Sequence, residues 1–226
     1  MIGVLWQPVV AHTGVVLLLV PAGPLRPRRA DEHFAAEAAA ARDAGHDVAL
    51  ANHDALAEPG GAGRAVARVR DGGGAVYRGW MLASGRYAAL AEALAARGVT
   101  LHTSAGQYRR AHELPGWYPA LAPVTPAAVW TAGDGEEEFR AACERLGPGP
   151  AVLHEEEFTG GFVLRRFERF TSAEARTWWA GGTCRLVTAH PDTPGNLPPE
   201  FSPAPYTALI GSLGLPFVAA DLAPAR

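Results

Sequence analysis

Short apolar segments alternate with helical segments over the first half of the chain, and this alternation restricts the fold more than any other feature. The apolar run Val15–Pro21 ends at a proline, as a buried strand of a parallel sheet does. A helical segment follows at residues 31–45, with Asp31 as its N-cap and Gly45 at its end. Strand and helix patterns then continue in the same order to residue 114. Such alternation with short connections predicts a Rossmann-like α/β sheet.

The second half of the chain has a different pattern. A proline-rich stretch, residues 114–130, reads as an interdomain connection. A helix at residues 135–147 and several closely spaced strands follow, and the Gly181–Gly182 pair predicts a hairpin between two of these strands. The chain is therefore predicted to contain a Rossmann-like domain at residues 13–122 and an α+β domain with an antiparallel sheet at residues 123–226.

The composition excludes several kinds of chemistry. All 20 basic residues are arginine, so Schiff-base lysines and P-loop lysines are excluded within these residues. The net charge of -3 argues against a surface that coats nucleic acid. Two cysteines, Cys143 and Cys184, are too few for a disulfide framework or a four-ligand zinc site, and they read as free thiols in a reducing compartment. Neither the Rossmann glycine motif nor a nucleophile elbow occurs.

The apolar run that begins at Val15 is the one segment that needs a check for targeting. It is much shorter than the ~20 residues of a membrane span. The residues before it lack the basic region that a secretory signal requires. We therefore expect a cytoplasmic protein that makes no membrane contact.

Arginines are concentrated on two predicted strands of the second half. The segment FVLRRFERF contains three of them, and the segment EARTWW contains a fourth. In an alternating strand, Glu174 and Arg176 share one face, so Glu174 can orient Arg176 toward a polyanionic ligand. The alternative is that these arginines face solvent at the surface of the sheet. The His-Pro-Asp sequence at residues 190–192 reads as a turn rather than a site.

The order of these elements resembles that of the ATP-grasp superfamily, in particular a little-characterised branch of it. In that family a Rossmann-like leading domain precedes a helix, a strand with the hinge to adenine, a hairpin with an acid-x-Arg pattern and a strand that ends in a metal-binding Asp. The resemblance covers nearly everything from Val15 onward. It implies a pre-ATP-grasp domain at residues 13–122 and a partial ATP-grasp domain at residues 123–226. The matching segments are residues 20–50, 75–82, 103–130, 162–170, 174–191 and 217–223.

The resemblance implies ATP and Mg²⁺ as cofactors and gives roles to individual residues. Arg176 is implied as the catalytic contact to the phosphates, and Asp221 as the first acidic ligand of the magnesium ions. Arg166 departs from the family pattern, in which an acid or amide near this position meets the ribose. The candidate substrate-binding residues of the leading domain are Arg28, Arg29 and Arg78. The implied nucleotide-binding residues are Arg165, Arg166, Phe167, Glu174 and Arg176.

The reaction implied by the resemblance is an ATP-dependent ligation of a carboxylate to an amine. The γ-phosphate passes to a small-molecule or peptide carboxylate, and an amine nucleophile attacks the resulting acyl phosphate to form an amide. The family also uses lysines on a central lobe and a further acidic strand after the Asp, and neither occurs in these residues.

Two interpretations of these departures follow. In the first, the missing segments belong to the protein but lie outside these residues. In the second, the protein is a reduced relative that binds a nucleotide, an RNA end or a protein partner without ligation. Three aromatic residues would suit base stacking in that case, namely Phe167, Trp178 and Trp179.

Overall fold

The computed structural model describes residues 16–156 and 161–223. The chain divides into two compact units between Ala105 and Gly106. The sequence pattern puts the domain boundary later, after residue 122, and that boundary stays a prediction.

The first unit is an α/β unit built on a five-stranded sheet. Its strands are β1 (Leu17–Gly23), β2 (Arg26–Ala30), β3 (Asp47–Ala51), β4 (Gly73–Tyr77) and β5 (Val99–Leu101). Its helices are α1 (Ala35–Asp43), α2 (His53–Ala57), α3 (Ala62–Ala65) and α4 (Ser84–Ala95). Strand β1 pairs in parallel with both β3 and β4, and β5 continues the sheet in parallel beyond β4. The short β2 folds back antiparallel onto the end of β1. The predicted Rossmann-like arrangement of parallel strands is confirmed.

The core of the first unit lies on both sides of β1. Leu19 and Val20 are neighbours on this strand and both are fully buried, so the strand is covered on both faces, since successive side chains point to opposite sides. Val20 packs with Phe34 and with Ala38 of α1. Helix α4 buries three side chains at the spacing of one helix face, Tyr87, Leu90 and Leu94.

Helix α1 begins at Ala35 rather than at Asp31, so the prediction that Asp31 is its N-cap is wrong. Asp31 instead accepts the backbone N–H of His33 on its Oδ1 atom at 3.0 Å. This contact closes a turn that separates the aspartate from the helix. The predicted end of the helix is confirmed, because Gly45 follows α1 with a φ of 82°, which glycine adopts at little cost.

The described part of the second unit contains two three-stranded antiparallel sheets, as the closely spaced strands predicted. One sheet has the order β6 (Ala128–Trp130), β8 (Gly161–Arg166), β7 (Ala151–Glu156). The other has the order β10 (Thr183–Ala189), β9 (Ala175–Ala180), β11 (Phe217–Leu222). The helices of this half are α5 (Ala105–His112), α6 (Leu114–Leu121), α7 (Glu136–Leu146) and α8 (Thr207–Ser212). Within the described ranges, no helix of either unit is long and apolar enough to cross a bilayer.

The β10-β9-β11 sheet has one buried face and one partly exposed face. The β9–β10 hairpin turns on Gly181 and Gly182, whose φ angles of 57° and 74° fit the tight turn that joins such strands. The buried side chains of β9 are Ala175, Thr177 and Trp179. The side chains that alternate with them are partly exposed and define the open face of the sheet, Arg176, Trp178 and Ala180.

Trp179 fixes the buried face of this sheet. Its ring is almost completely enclosed and packs with Ile210 of α8 and with Leu213. The indole Nε1–H donates to Thr177 Oγ1 at 2.8 Å, and the Thr177 hydroxyl donates to the carbonyl oxygen of Ala220 on β11 at 2.8 Å. Because these buried polar groups are satisfied, the tryptophan can hold β9 and β11 in one register.

Candidate functional site

An arginine and an aspartate meet on the open face of the β10-β9-β11 sheet. The register of β9 and β11 places Arg176 directly opposite Asp221. The guanidinium Nε donates to Asp221 Oδ1 at 2.7 Å, and its NH2 atom donates to Oδ2 at 2.8 Å. The two side chains keep 30% and 33% of their surface exposed. This two-bond geometry is the one that guanidinium uses for carboxylate and phosphate alike.

The charge of Arg176 is secured by its surroundings. The hydrogen bonds that it donates to Asp221 are the main cause that raises the pKa of Arg176, and partial burial opposes them. The charges of Asp192 and Glu174 contribute in the same direction as Asp221. The site therefore presents a permanent cation that is held by a carboxylate and is accessible from the open face.

His190 is a third member of this site. It follows the last residue of β10, and its side chain is 14% exposed. The ring Nε2 atom lies 3.3 Å from the NH2 atom of Arg176 and 3.5 Å from Asp221 Oδ2. The other ring nitrogen, Nδ1, accepts the backbone N–H of Asp192 at 3.2 Å.

The sequence analysis interpreted His190 only as part of a turn. A turn is present, because the Thr193 N–H donates to the His190 carbonyl oxygen at 3.0 Å. The residue also continues the alternation of β10, where Thr188 pairs with Arg176. Counting two residues on from Thr188 along the predicted hairpin would have placed His190 beside the arginine.

Glu174 occupies the position expected from the alternation of β9, but it is not the residue that binds Arg176. It precedes β9, and its carbonyl oxygen accepts the His190 N–H at 3.2 Å. The acceptor that orients Arg176 is Asp221 instead, on the neighbouring strand. The prediction that Glu174 orients Arg176 is corrected in this respect, and a contact of Glu174 with nucleotide stays a prediction.

On the other sheet, Arg165 lies against an aromatic ring. Its guanidinium carbon is 5.7 Å from the centroid of the Trp117 ring, which belongs to α6. This distance is in the range of a cation–π contact. Its Nε atom is buried and has no hydrogen-bond partner among the described residues. Phe167, just after β8, is half exposed, and its backbone N–H donates to the Pro150 carbonyl oxygen at 3.0 Å.

Arg166 contacts the end of a helix. Its NH2 atom donates to the carbonyl oxygen of Leu146 at 2.5 Å, and Leu146 is the last residue of α7. A cation at this end of a helix satisfies a carbonyl that has no partner within the helix and offsets the helix dipole. The structure thus gives Arg166 a structural contact, whereas its predicted contact with nucleotide is not seen and stays a prediction.

The three arginines predicted to bind substrate have different surroundings in the first unit. Arg78 makes two hydrogen bonds to Glu37, at 2.7 and 2.8 Å, and its guanidinium lies 5.3 Å from the centroid of the Phe34 ring. Arg28 and Arg29 are exposed on β2. Arg28 lines a surface cavity of about 350 Å³ together with other arginine side chains, Arg68 and Arg70.

The metal prediction can be tested against the donor chemistry of the site. Among the described residues, no three His, Cys, Asp or Glu side chains are grouped so as to hold a metal ion. Mg²⁺, however, commonly takes one or two carboxylates and completes its shell with water and phosphate oxygens. Asp221 supplies an accessible carboxylate of this kind, so the residues present fit Mg²⁺ when phosphates complete the shell and Arg176 gives up at least one oxygen.

Of the aromatic residues considered for base stacking, one is placed where it cannot serve. Trp179 is buried in the core, so a stacking role for it is wrong. Trp178 lies on the open face, with its ring 5.9 Å from that of Phe217.

The fold and the site together define a class of protein. A Rossmann-like unit followed by antiparallel sheets, one of which carries an arginine and an aspartate on its open face, is the arrangement of an ATP-grasp protein. Residues 115–226 match the model of an ATP-grasp domain, the third family of its clade. The chain belongs to the ATP-grasp superfamily, as its sequence pattern predicted.

Solved structures with this fold have low sequence identity to the chain. The RimK domain protein ATP-grasp from Sphaerobacter thermophilus is 21% identical, with 92% of this chain and 86% of that chain covered and a TM-score of 0.59. The D-cycloserine synthetase DcsG is 14% identical, with the same coverages and a TM-score of 0.60. The ATP-grasp ligase PsnB, complexed with precursor peptide PsnA2 and AMPPNP, is 11% identical, covers 92% and 84%, and has a TM-score of 0.53. Comparison with curated protein sequences gives no match.

Proposed function

We propose that the protein is an ATP- and Mg²⁺-dependent ligase that joins a carboxylate to an amine through an acyl phosphate. The observation that carries the proposal is the two-bond pair of Arg176 and Asp221 on the open face of the sheet. It brings together a permanent cation and a hard oxygen donor, which are the two groups needed around a triphosphate. Membership of the ATP-grasp superfamily and the fold shared with PsnB and DcsG support it.

Arg176 acts by charge neutralisation in this proposal. Its planar guanidinium donates two parallel hydrogen bonds, and the phosphoryl group presents the same geometry of oxygens as the carboxylate of Asp221. As negative charge shifts toward the transferred phosphoryl group and the acyl phosphate, the fixed cation stabilises it. No lysine is needed for this step.

The ion pair also provides an exchange of partners. Arg176 holds Asp221 when no phosphate is present, and the pair is exposed enough that opening it costs about 1 kcal/mol or less. Arg176 then bonds to phosphate oxygens, and Asp221 is released as a ligand for Mg²⁺. A Mg²⁺ ion held there bridges phosphate oxygens and offsets their charge.

The substrates in this proposal are a carboxylate, either small or part of a peptide, and an amine nucleophile. Arg28 and Arg29 are exposed and can bind the acidic substrate from the first unit. Arg78 is less available than the sequence suggested, because Glu37 already takes two of its donors. We therefore assign substrate binding to Arg28 and Arg29 before Arg78.

The direct test is ligation itself. The purified protein is incubated with ATP, Mg²⁺ and pools of small carboxylic acids or acidic peptides, with hydroxylamine as the nucleophile. We expect ADP release that depends on the carboxylate, together with hydroxamate, which reports the trapped acyl phosphate. ATP consumption that yields AMP, or hydroxamate without ADP, contradicts the proposed chemistry.

A second candidate function is nucleotide binding without ligation. It is favoured by the absence of lysine from all 226 residues, since lysines hold the α- and β-phosphates in the family pattern. Trp178 and Phe217 give this candidate an aromatic surface next to the arginine. Tight binding of AMPPNP with no ADP formation from ATP, in every carboxylate pool, supports this second candidate over the ligase.

A further inference from the structure

We infer that His190 is a positioning residue that fixes the carboxylate of Asp221, the proposed ligand of Mg²⁺. The inference rests on the proposed function for its consequence, but the contact between the two side chains can be tested by itself. No feature of the sequence pattern gave His190 a role in the site. The argument starts from the two nitrogens of its ring.

The backbone around His190 determines which nitrogen carries the proton. The Asp192 N–H donates to Nδ1, so Nδ1 uses its lone pair and carries no hydrogen. The neutral imidazole then has its proton on Nε2. Nε2 faces two groups, the Arg176 NH2 atom at 3.3 Å and Asp221 Oδ2 at 3.5 Å.

The short distance between Nε2 and Arg176 cannot be a hydrogen bond in this tautomer. Guanidinium has donors only, and a protonated Nε2 cannot accept. The two donors instead converge on the same oxygen, Asp221 Oδ2, from 2.8 Å for the guanidinium NH2 and 3.5 Å for Nε2. Asp221 Oδ2 is therefore held from two sides, whereas Oδ1 is held by the guanidinium Nε.

The ring is kept in place by bonds that do not involve the site. The His190 N–H donates to the Glu174 carbonyl oxygen, and its own carbonyl accepts from Thr193, so both backbone groups are fixed. The Asp192 carboxylate lies 3.7 Å from Nδ1 and is 88% exposed. The imidazole thus has a set orientation before any ligand arrives, which is the requirement for a residue that positions another.

This arrangement gives His190 a task when Arg176 changes partner. Once the guanidinium bonds to phosphate, Asp221 loses both of its hydrogen bonds from Arg176. Among the described residues, His190 is then the side chain that remains within reach of Oδ2. A donor of this kind keeps a metal-binding carboxylate oriented, and the loss of such a donor typically reduces metal affinity about 10- to 100-fold.

The first experiment examines the contact without any nucleotide. Long-range ¹H–¹⁵N spectra of the protein labelled on histidine report which ring nitrogen is protonated. We expect His190 as the Nε2–H tautomer, with an Nε2 resonance that shifts in Asp221→Asn and not in Glu200→Gln, an exposed acid outside the site. An Nδ1–H tautomer, or an Nε2 resonance that ignores Asp221→Asn, overturns the inference.

The second experiment measures the consequence for metal. The Kd of AMPPNP is measured by calorimetry in Mg²⁺ and again in EDTA. We expect His190→Ala to weaken binding about tenfold in Mg²⁺ and to leave the Kd in EDTA unchanged. His190→Gln places an amide donor near the position of Nε2, and we expect it to restore the Kd to within about threefold of the parent protein.

Controls separate this inference from the proposed function. His33→Ala removes an exposed histidine of the first unit and should change neither Kd. Equal losses for His190→Ala in Mg²⁺ and in EDTA, or no rescue by His190→Gln, overturn the positioning role. If the parent protein binds AMPPNP no better in Mg²⁺ than in EDTA, the proposed function fails, and the spectra alone then decide whether His190 holds Asp221.

Discussion

The two antiparallel sheets of the second unit both carry arginines on strands, but they use them differently. On β8, Arg165 lies against the Trp117 ring, and Arg166 donates to the last carbonyl of α7. On β9, Arg176 is paired with Asp221 and keeps about a third of its side chain exposed, at 30%. The contacts on β8 satisfy the fold, whereas the contact on β9 can be exchanged for another anion.

The comparison teaches that the partner of an arginine is more informative than the arginine itself. A guanidinium that satisfies a helix-end carbonyl leaves a buried acceptor unpaired if it moves, at a cost of about 1–3 kcal/mol. An ion pair at a surface is worth about 0–1 kcal/mol, so it opens readily when a better anion is present. By this criterion Arg176 is available to a ligand and Arg166 is committed to the structure.

The largest effect is expected from the residue that supports β9 from below. Trp179→Ala removes an almost fully buried ring and its hydrogen bond to Thr177. Such truncations lower the free energy of unfolding by about 3–5 kcal/mol. Urea denaturation followed by circular dichroism measures the loss. Trp178→Ala, at the neighbouring position on the open face, is the matched control and should cost much less; equal losses would contradict the assignment of the two faces.

The next prediction concerns ligand binding and separates the two sheets directly. Arg176→Ala should weaken AMPPNP binding about 100-fold, equivalent to about 2.7 kcal/mol, because two charge-assisted hydrogen bonds to phosphate are lost. Its free energy of unfolding should change by less than about 1 kcal/mol. Arg185→Ala removes an exposed arginine of β10 and serves as the control. A Kd for Arg176→Ala within twofold of the parent protein would refute the phosphate assignment.

Arg166→Ala should show the opposite result with a smaller effect. The carbonyl of Leu146 loses its side-chain donor, and we expect the free energy of unfolding to fall by about 1–2 kcal/mol. The Kd of AMPPNP should stay within about threefold of the parent value, which is about 0.6 kcal/mol. Parallel urea and calorimetry measurements test both parts. A loss of affinity without a loss of stability would restore the nucleotide-binding role predicted from the sequence.

The order of elements and the faces of single strands could be predicted from the sequence. The alternation of β9 correctly placed Arg176 and Trp178 on one face, because period two is a local property of a strand. The partner of Arg176 could not be read in this way. Asp221 lies 45 residues further along the chain and meets Arg176 only through the register of β9 and β11.

The same limit explains the interpretation of Arg166 and of His190. The acceptor of Arg166 is a backbone carbonyl 20 residues earlier, at the point where α7 happens to end. Nothing in the local pattern of β8 reports the position of that carbonyl. His190 lies in a turn, as predicted, and its place in the site follows from the register of the hairpin, which carries an irregularity between Cys184 and Leu186.

The smallest expected effect concerns a histidine outside the open face, which sharpens the contrast with His190. His112 stacks on Tyr108, with ring centroids 3.9 Å apart, and its Nδ1 lies 3.0 Å from the Tyr108 carbonyl oxygen. Burial lowers the pKa of His112 below its usual value, and the hydrogen bond to the carbonyl opposes this shift. The folded protein therefore binds a proton at His112 less readily than the unfolded chain does.

The sign of the pH effect follows from that difference. The stability that neutral His112 contributes is fully present above the unfolded pKa of about 6.5 and is lost as pH falls below it toward the folded pKa. We expect His112→Gln, which cannot titrate, to flatten the dependence of the free energy of unfolding on pH below about 6.5. Urea denaturation of both proteins at a series of pH values measures it. A steeper acid loss in His112→Gln would show that the protonated ring is the form that the fold stabilises.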